Sequence, residues 1–95
     1  MTEAVTISET SVPRLPRGVK LRFDKARDQW LVQAPERVLV PDPIALEVLK
    51  RCDGEADVGA IADDLAATYQ AAREEILGDV IEMLQDLADR AVVTA

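Results

Sequence analysis

Between residues 19 and 40 the chain passes through three short apolar runs, VKLRF, WLVQA and RVLV, separated by only six and two residues. Parallel neighbours need a crossover of a dozen or more residues, so connections this short point to an antiparallel meander. In the first run Val19, Leu21 and Phe23 alternate with Lys20 and Arg22, the period of a half-buried strand. In the second, Trp30, Val32 and Ala34 share one face, and Leu31 and Gln33 take the other. Pro35 has no N–H to give to a ladder and ends this strand. The third run, Arg37 to Val40, is followed by no fourth strand-like run. Its outer edge is left without a partner, and an unpaired edge is a template for another chain.

After Pro41 the pattern is helical. Asp42-Pro43 is a strong start, because Asp caps free N–H groups and Pro suits the first helical position. Ile44, Ala45, Val48 and Leu49 face inward, and this helix is expected to stop at Asp53-Gly54, where glycine permits a left-handed turn. Asp57 is placed to cap a second helix, in which Val58, Ile61, Ala62, Leu65, Ala66 and Tyr69 follow the i, i+3, i+4 rule. A third helix is expected from Ala72 or Arg73 to about Ala88, weakly capped but with Glu74 and Glu75 well placed in its first turn. Val92 and Val93 are expected to pack back on the core. Strands first and helices after give an α+β fold, a three-stranded antiparallel sheet followed by three helices. The helix pair around Gln70 makes it winged helix-turn-helix-like. Residues 1–12, rich in Thr, Ser and Glu and without a period, read as a flexible tail, and residues 13–95 as one domain.

The third helix has more apolar surface than a small domain needs. On a helical projection Ile76, Val80, Met83, Leu84 and Leu87 cluster, and Leu77, Ile81 and Ala88 widen the arc to roughly 160°, against the ~100° or more of an ordinary surface helix. Deep packing, a homodimer seam or a groove for a partner would each use it. Beside the free edge of Arg37–Val40, the flank of Leu77 and Ile81 would make a slot for an extended peptide.

Other chemistries find little support. There is no histidine, and Cys52 is the lone cysteine, so neither a disulfide nor a multi-cysteine metal site is available. Asp63-Asp64 and Glu74-Glu75 are adjacent pairs, and neighbours on a helix point about 100° apart, which suits a solvated acidic face better than acid–base or metal work. No phosphate loop or nucleophile motif is present. The expected protein is therefore not an enzyme, with no catalytic residue, no cofactor and no metal.

The net charge of −7 is uneven: residues 1–52 carry nine Lys/Arg against seven Asp/Glu, residues 53–95 two against eleven. A recognition helix bearing Glu74, Glu75, Asp79, Glu82 and Asp86 would be repelled by a duplex, which argues against a winged-helix DNA-binding regulator. Arg17, Lys20, Arg22 and Arg37 in the strand region could attract an acidic peptide. A dimeric adaptor, with edge and helix face paired to a second copy, remains compatible with peptide binding. The start MTEAVTISETSV has no basic n-region or long apolar run, and no segment approaches a membrane span, so a cytoplasmic protein without membrane or nucleic-acid contacts is expected.

The residues PRGVKLRFD at 16–24, LVQAPERVLV at 31–40, Ala45 and Leu49 leading to CDG at 52–54, the helix Val58 to Tyr69, and Ile76 through DVIEML at 79–84 resemble the PqqD family, the small D proteins of pyrroloquinoline quinone biosynthesis. Ala91 stands where such chains often have Gly, and PDP at 41–43 is proline-rich. The resemblance implies a winged helix-turn-helix-like domain that binds peptide, the prototype of leader-peptide recognition elements. It implies a non-catalytic peptide chaperone that holds precursor peptide A and presents it to the radical S-adenosylmethionine enzyme E. It also implies that the peptide adds as a strand at the third strand against the third helix. Carried onto this chain, that site is Arg37, Val38, Leu39 and Val40 facing Leu77, Val80, Ile81 and Leu84.

Overall fold

The computed structural model describes residues 5–95. Three strands, β1 (Lys20–Asp24), β2 (Gln29–Ala34) and β3 (Arg37–Leu39), precede three helices, α1 (Pro43–Lys50), α2 (Val58–Tyr69) and α3 (Arg73–Asp89). The strands form one antiparallel sheet in the order β1-β2-β3, as the short connections require. Leu21 pairs with Val32 and Val32 with Leu39, so these three share the inner face, while Lys20, Gln33 and Val38 share the outer one. Phe23 packs edge-on against Trp30, and the Lys50 ammonium sits 5.1 Å from the indole ring. The core is aliphatic, centred on Val32, Val48, Val58, Ile61 and Leu84, with Val92 and Val93 returned into it.

The β2–β3 connection fixes which backbone groups face outward. Two residues, Pro35 and Glu36, join the strands, and Glu36 has φ +63°, which suits the third position of a type II turn. A two-residue hairpin makes its closing pair, Ala34 and Arg37, a hydrogen-bonded one. Alternation then aims the N–H and C=O of Arg37 and Leu39 at β2 and those of Val38 at the open edge.

The helix starts follow from their caps. The Asp42 carboxylate accepts from the Ala45 N–H and the Asp57 carboxylate from the Ala60 N–H, both at 2.8 Å, while Ala72 gives α3 no side-chain cap. Helix α1 ends at Lys50, short of Asp53-Gly54. Asp53 instead closes a turn of its own by accepting from the Glu55 and Ala56 N–H groups, which hold its carboxyl below the usual range. Gly54, at φ +78°, donates to the Pro13 carbonyl where the chain crosses back beneath α1.

Residues 5–12, where the sequence suggested a free tail, lie against the helices. Ile7 is 5% exposed, and its N–H donates to Gln85 Oε1 while Gln85 Nε2 donates to the Val5 carbonyl. The carbonyls of Glu9 and Ser11 accept from the Gly59 and Val58 N–H groups, satisfying two donors that every helix start leaves free. A Cβ at Gly59 would meet the Glu9 side chain at 3.2 Å, so a larger residue there would have to push that side chain aside. Arg73 bridges Glu9 and Asp63, a pairing that raises its pKa further. Arg73, Leu77, Ile81 and Gln85 are spaced by four, one face of α3. A segment anchored at Arg73 and at Gln85 therefore runs along Leu77 and Ile81. The boundary expected at Pro13 falls inside the packed unit, and Met1 to Ala4 of the expected tail lie outside the described residues.

Helix α3 ends in a Schellman motif: Val92 donates to the Leu87 carbonyl and Ala91 to that of Ala88, with Val92 and Leu87 both buried. Ala91 takes the left-handed position at φ +61°, which costs a residue with a Cβ about 1 kcal/mol. Ala91→Gly is expected to raise stability by about 0.5–1 kcal/mol and the melting temperature by a few degrees, read by thermal circular dichroism.

Candidate functional site: a groove beside the sheet edge

The outer side of β3 carries no backbone partner among the described residues, since the sheet ends there. Beyond it lies a groove of about 960 Å³. Its sheet wall is Leu39 and Val40, its end wall Pro41 to Ala45 at the start of α1, and its helix wall the Asp79, Glu82, Met83, Asp86, Leu87 and Arg90 side of α3. Val38 and Val40, at 58% and 63% exposure, and Ile44, at 51%, leave an apolar strip along the edge. This is the combination that strand addition uses: free main-chain donors and acceptors next to apolar contacts.

The helix wall differs from the expected one. Val80 and Leu84, 3% and 0% exposed, point into the core, and Leu77 and Ile81 lie under residues 5–9. None of these four lines the groove. The helical projection located the apolar arc correctly but not its division, because it took the N-terminal residues for a tail and left Leu77 and Ile81 uncovered. The period-two spacing of Val5 and Ile7 was the available sign that this segment packs. On the strand, Leu39 and Val40 line the groove and Val38 stands on the outer face. Arg37 reaches across to α3, donating to the Arg90 carbonyl, and so ties the start of β3 to the helix end.

The groove's charge also differs from expectation. Lys20 and Arg22 lie on the outer sheet face, Arg22 bonded to Gln33, and Arg17 lines a separate hollow with Arg37. The groove itself holds Asp42, Asp79, Glu82 and Asp86 against Arg90. Arg90 pairs with Asp86 at 3.3 Å, whereas Asp79 and Glu82 make no ion pair among the described residues. Such a wall complements a basic residue in the guest chain better than an acidic one.

Cys52 does not line the groove. Cys52 is 6% exposed, its Sγ–H donates to the Val48 carbonyl, and burial pushes its thiol up to about 12, so it stays protonated at neutral pH. Among the described residues no three His, Cys, Asp or Glu side chains converge as a metal site would require. Nor is any helix of them long and apolar enough to cross a membrane.

The family model described as "Coenzyme PQQ synthesis protein D (PqqD)" matches residues 29–93, which include the whole groove. The chain belongs to the PqqD family. It is 57% identical over 90 residues to a "PqqA binding protein" of Bradyrhizobium diazoefficiens, covering 95% of this chain and 87% of that one. It is 47% identical over 88 residues to the "PqqA binding protein" of Xanthomonas campestris pv. campestris strain 8004, covering 93% and 96%. In three dimensions it is similar to the solution structure of the PqqD truncation of Methylobacterium extorquens PqqCD, described as a functional, stand-alone recognition element for ribosomally synthesized and post-translationally modified peptides. That match has a TM-score of 0.81 at 42% identity over 99% of this chain and 100% of the other. The crystal structure of PqqD from Xanthomonas campestris matches with a TM-score of 0.57 at 47% identity over 92% and 97%. The PqqD fold is thus shared along nearly the full chain, and the order of three strands and three helices belongs to it.

Proposed function

We propose that this PqqD-family protein is a non-catalytic chaperone that binds the precursor peptide of pyrroloquinoline quinone biosynthesis as a fourth strand on β3 and presents it to the pathway's radical S-adenosylmethionine enzyme in the cytoplasm. The observation that carries this reading is the open β3 edge flanked by the apolar groove. Relatives named for binding PqqA support it, at 57% and 47% identity.

The magnitudes suit a carrier that must also let go. Two to four ladder hydrogen bonds contribute about 0.5–1.5 kcal/mol each. Two or three guest side chains buried on Leu39, Met83 and Leu87 add about 1.5–3 kcal/mol each. Association and ordering oppose this with about 4–15 kcal/mol. The two ranges overlap, so micromolar binding, about −8 kcal/mol, requires gains near the top of their range and costs near the bottom of theirs. Duplex DNA is a poor alternative guest, because the exposed side of α3 carries Glu74, Glu75, Asp79, Glu82 and Asp86.

Titrating isotope-labelled protein with synthetic precursor peptide tests the reading. The amides of Val38 to Val40 and of Met83 to Leu87 are expected to shift together and saturate. Affinity is expected to fall a few-fold as salt rises from about 0.01 to 0.15 M, where the screening length drops from ~30 to ~8 Å. Glu82→Lys is expected to remove most of that dependence. Absence of any saturable shift at millimolar peptide would reject the function outright.

A further inference from the structure

A second hollow, of about 300 Å³, opens between the three helices. Its walls are Val48 of α1, Leu65 and Tyr69 of α2, and Ile76 and Val80 of α3. Two large apolar side chains stand at its rim half out in water: Ile44 at 51% and Tyr69 at 46% exposure. It does not stand apart from the groove. Ile44, Asp79 and Met83 line both, so the end of the groove at α1 leads over Ile44 into the hollow.

We propose that this three-helix hollow is an anchor subsite, which takes one bulky uncharged side chain, aliphatic or aromatic, from the precursor peptide that pairs with β3. The inference rests on the strand-addition reading and adds to it a second point of attachment. Three features select the occupant. The lining is apolar but for the Asp79 carboxylate at the shared rim and the Tyr69 hydroxyl, so a charged side chain would lose its hydration without compensation. The volume suits one large side chain and not a folded segment. The continuity with the groove means that a chain leaving β3 past Val40 can follow Pro41, Pro43 and Ile44, with Asp42 beside them, into the hollow. β3 is only three residues long, too short a ladder to give a guest strand a unique register. A side chain seated further along the same track would fix that register, because a slip by one residue would turn it to the opposite face.

The test uses wild-type protein, Ile76→Trp, which fills the hollow from a position that does not itself line the groove, and synthetic precursor peptides in which each large apolar residue is changed in turn to Ala. Peptide affinity for Ile76→Trp is expected to be at least tenfold weaker than for wild type. One alanine peptide is expected to lose a similar factor against wild type and almost nothing further against Ile76→Trp, the signature of a shared contact. In wild-type protein the amides of Leu65, Tyr69 and Ile76 are expected to shift on saturation, a readout that stands even if the tryptophan variant folds poorly. Saturable shifts at β3 with none at Leu65, Tyr69 and Ile76 would overturn the anchor and leave the function intact. No saturable shift anywhere would instead remove the strand-addition reading itself.

Discussion

Val38→Pro is expected to lower precursor-peptide affinity by about a hundredfold or more while the melting temperature moves by only a few degrees. The hairpin register is the reason. Ala34 and Arg37 form the hydrogen-bonded closing pair, Val32 and Leu39 the next, and Val38 lies between them with its N–H aimed away from β2. Proline at this position removes a donor that the folded monomer does not use, and edge strands are where sheets tolerate proline. The guest strand loses one ladder bond directly, and the pyrrolidine ring obstructs the bonds beside it. Calorimetric titration and a thermal melt on the same sample check both halves. Retained affinity would mean that the peptide does not add to β3, whatever else it touches.

The second large effect separates two neighbouring residues of α3. Leu84 is 0% exposed, and Leu84→Ala is expected to cost about 2–5 kcal/mol of stability. That is a large share of the ~5–15 kcal/mol available to a small domain, and it corresponds to a melting temperature lower by roughly 10–30 °C. The fraction that remains folded is expected to bind peptide with unaltered affinity. Met83, half-buried and lining both the groove and the three-helix hollow, behaves in the opposite way. Met83→Asp is expected to cost only about 1 kcal/mol of stability and to weaken binding at least tenfold, because a charged group then sits where a guest side chain must be buried. Chemical denaturation gives the stabilities, and titration below the unfolding transition gives the affinities. If Leu84→Ala lost affinity while Met83→Asp kept it, the helix wall would have to be turned by about one residue.

The sheet and the helix starts were legible for local reasons. Two-residue and six-residue links leave an antiparallel meander little competition, and Asp42-Pro43 and Asp57 announce their helices through the backbone donors they cap. The end of α1 was harder to place, because Asp53 satisfies its own turn and the helix closes at Arg51 without glycine. The site was half legible. The free edge at Arg37–Leu39 follows from strand count alone, whereas the phase of α3 depends on what else covers it. Leu77 and Ile81 look surplus only until Ile7 and Gln85 place residues 5–9 along them. That contact joins positions 78 apart in sequence, which no local period reports. The acidic character of α3 was legible, but not that Asp79, Glu82 and Asp86 share one groove with Asp42, which belongs to a different element.

The way residues 5–11 lie on α2 and α3 bears on how the protein should be handled. A shortened version beginning at Pro13 would uncover an oily stripe at Leu77 and Ile81 and leave two N–H donors in the first turn of α2 without their acceptors. Molecules trimmed in this way would tend to stick to one another through that stripe, and any dimer found with them would report the trimming and not the native protein.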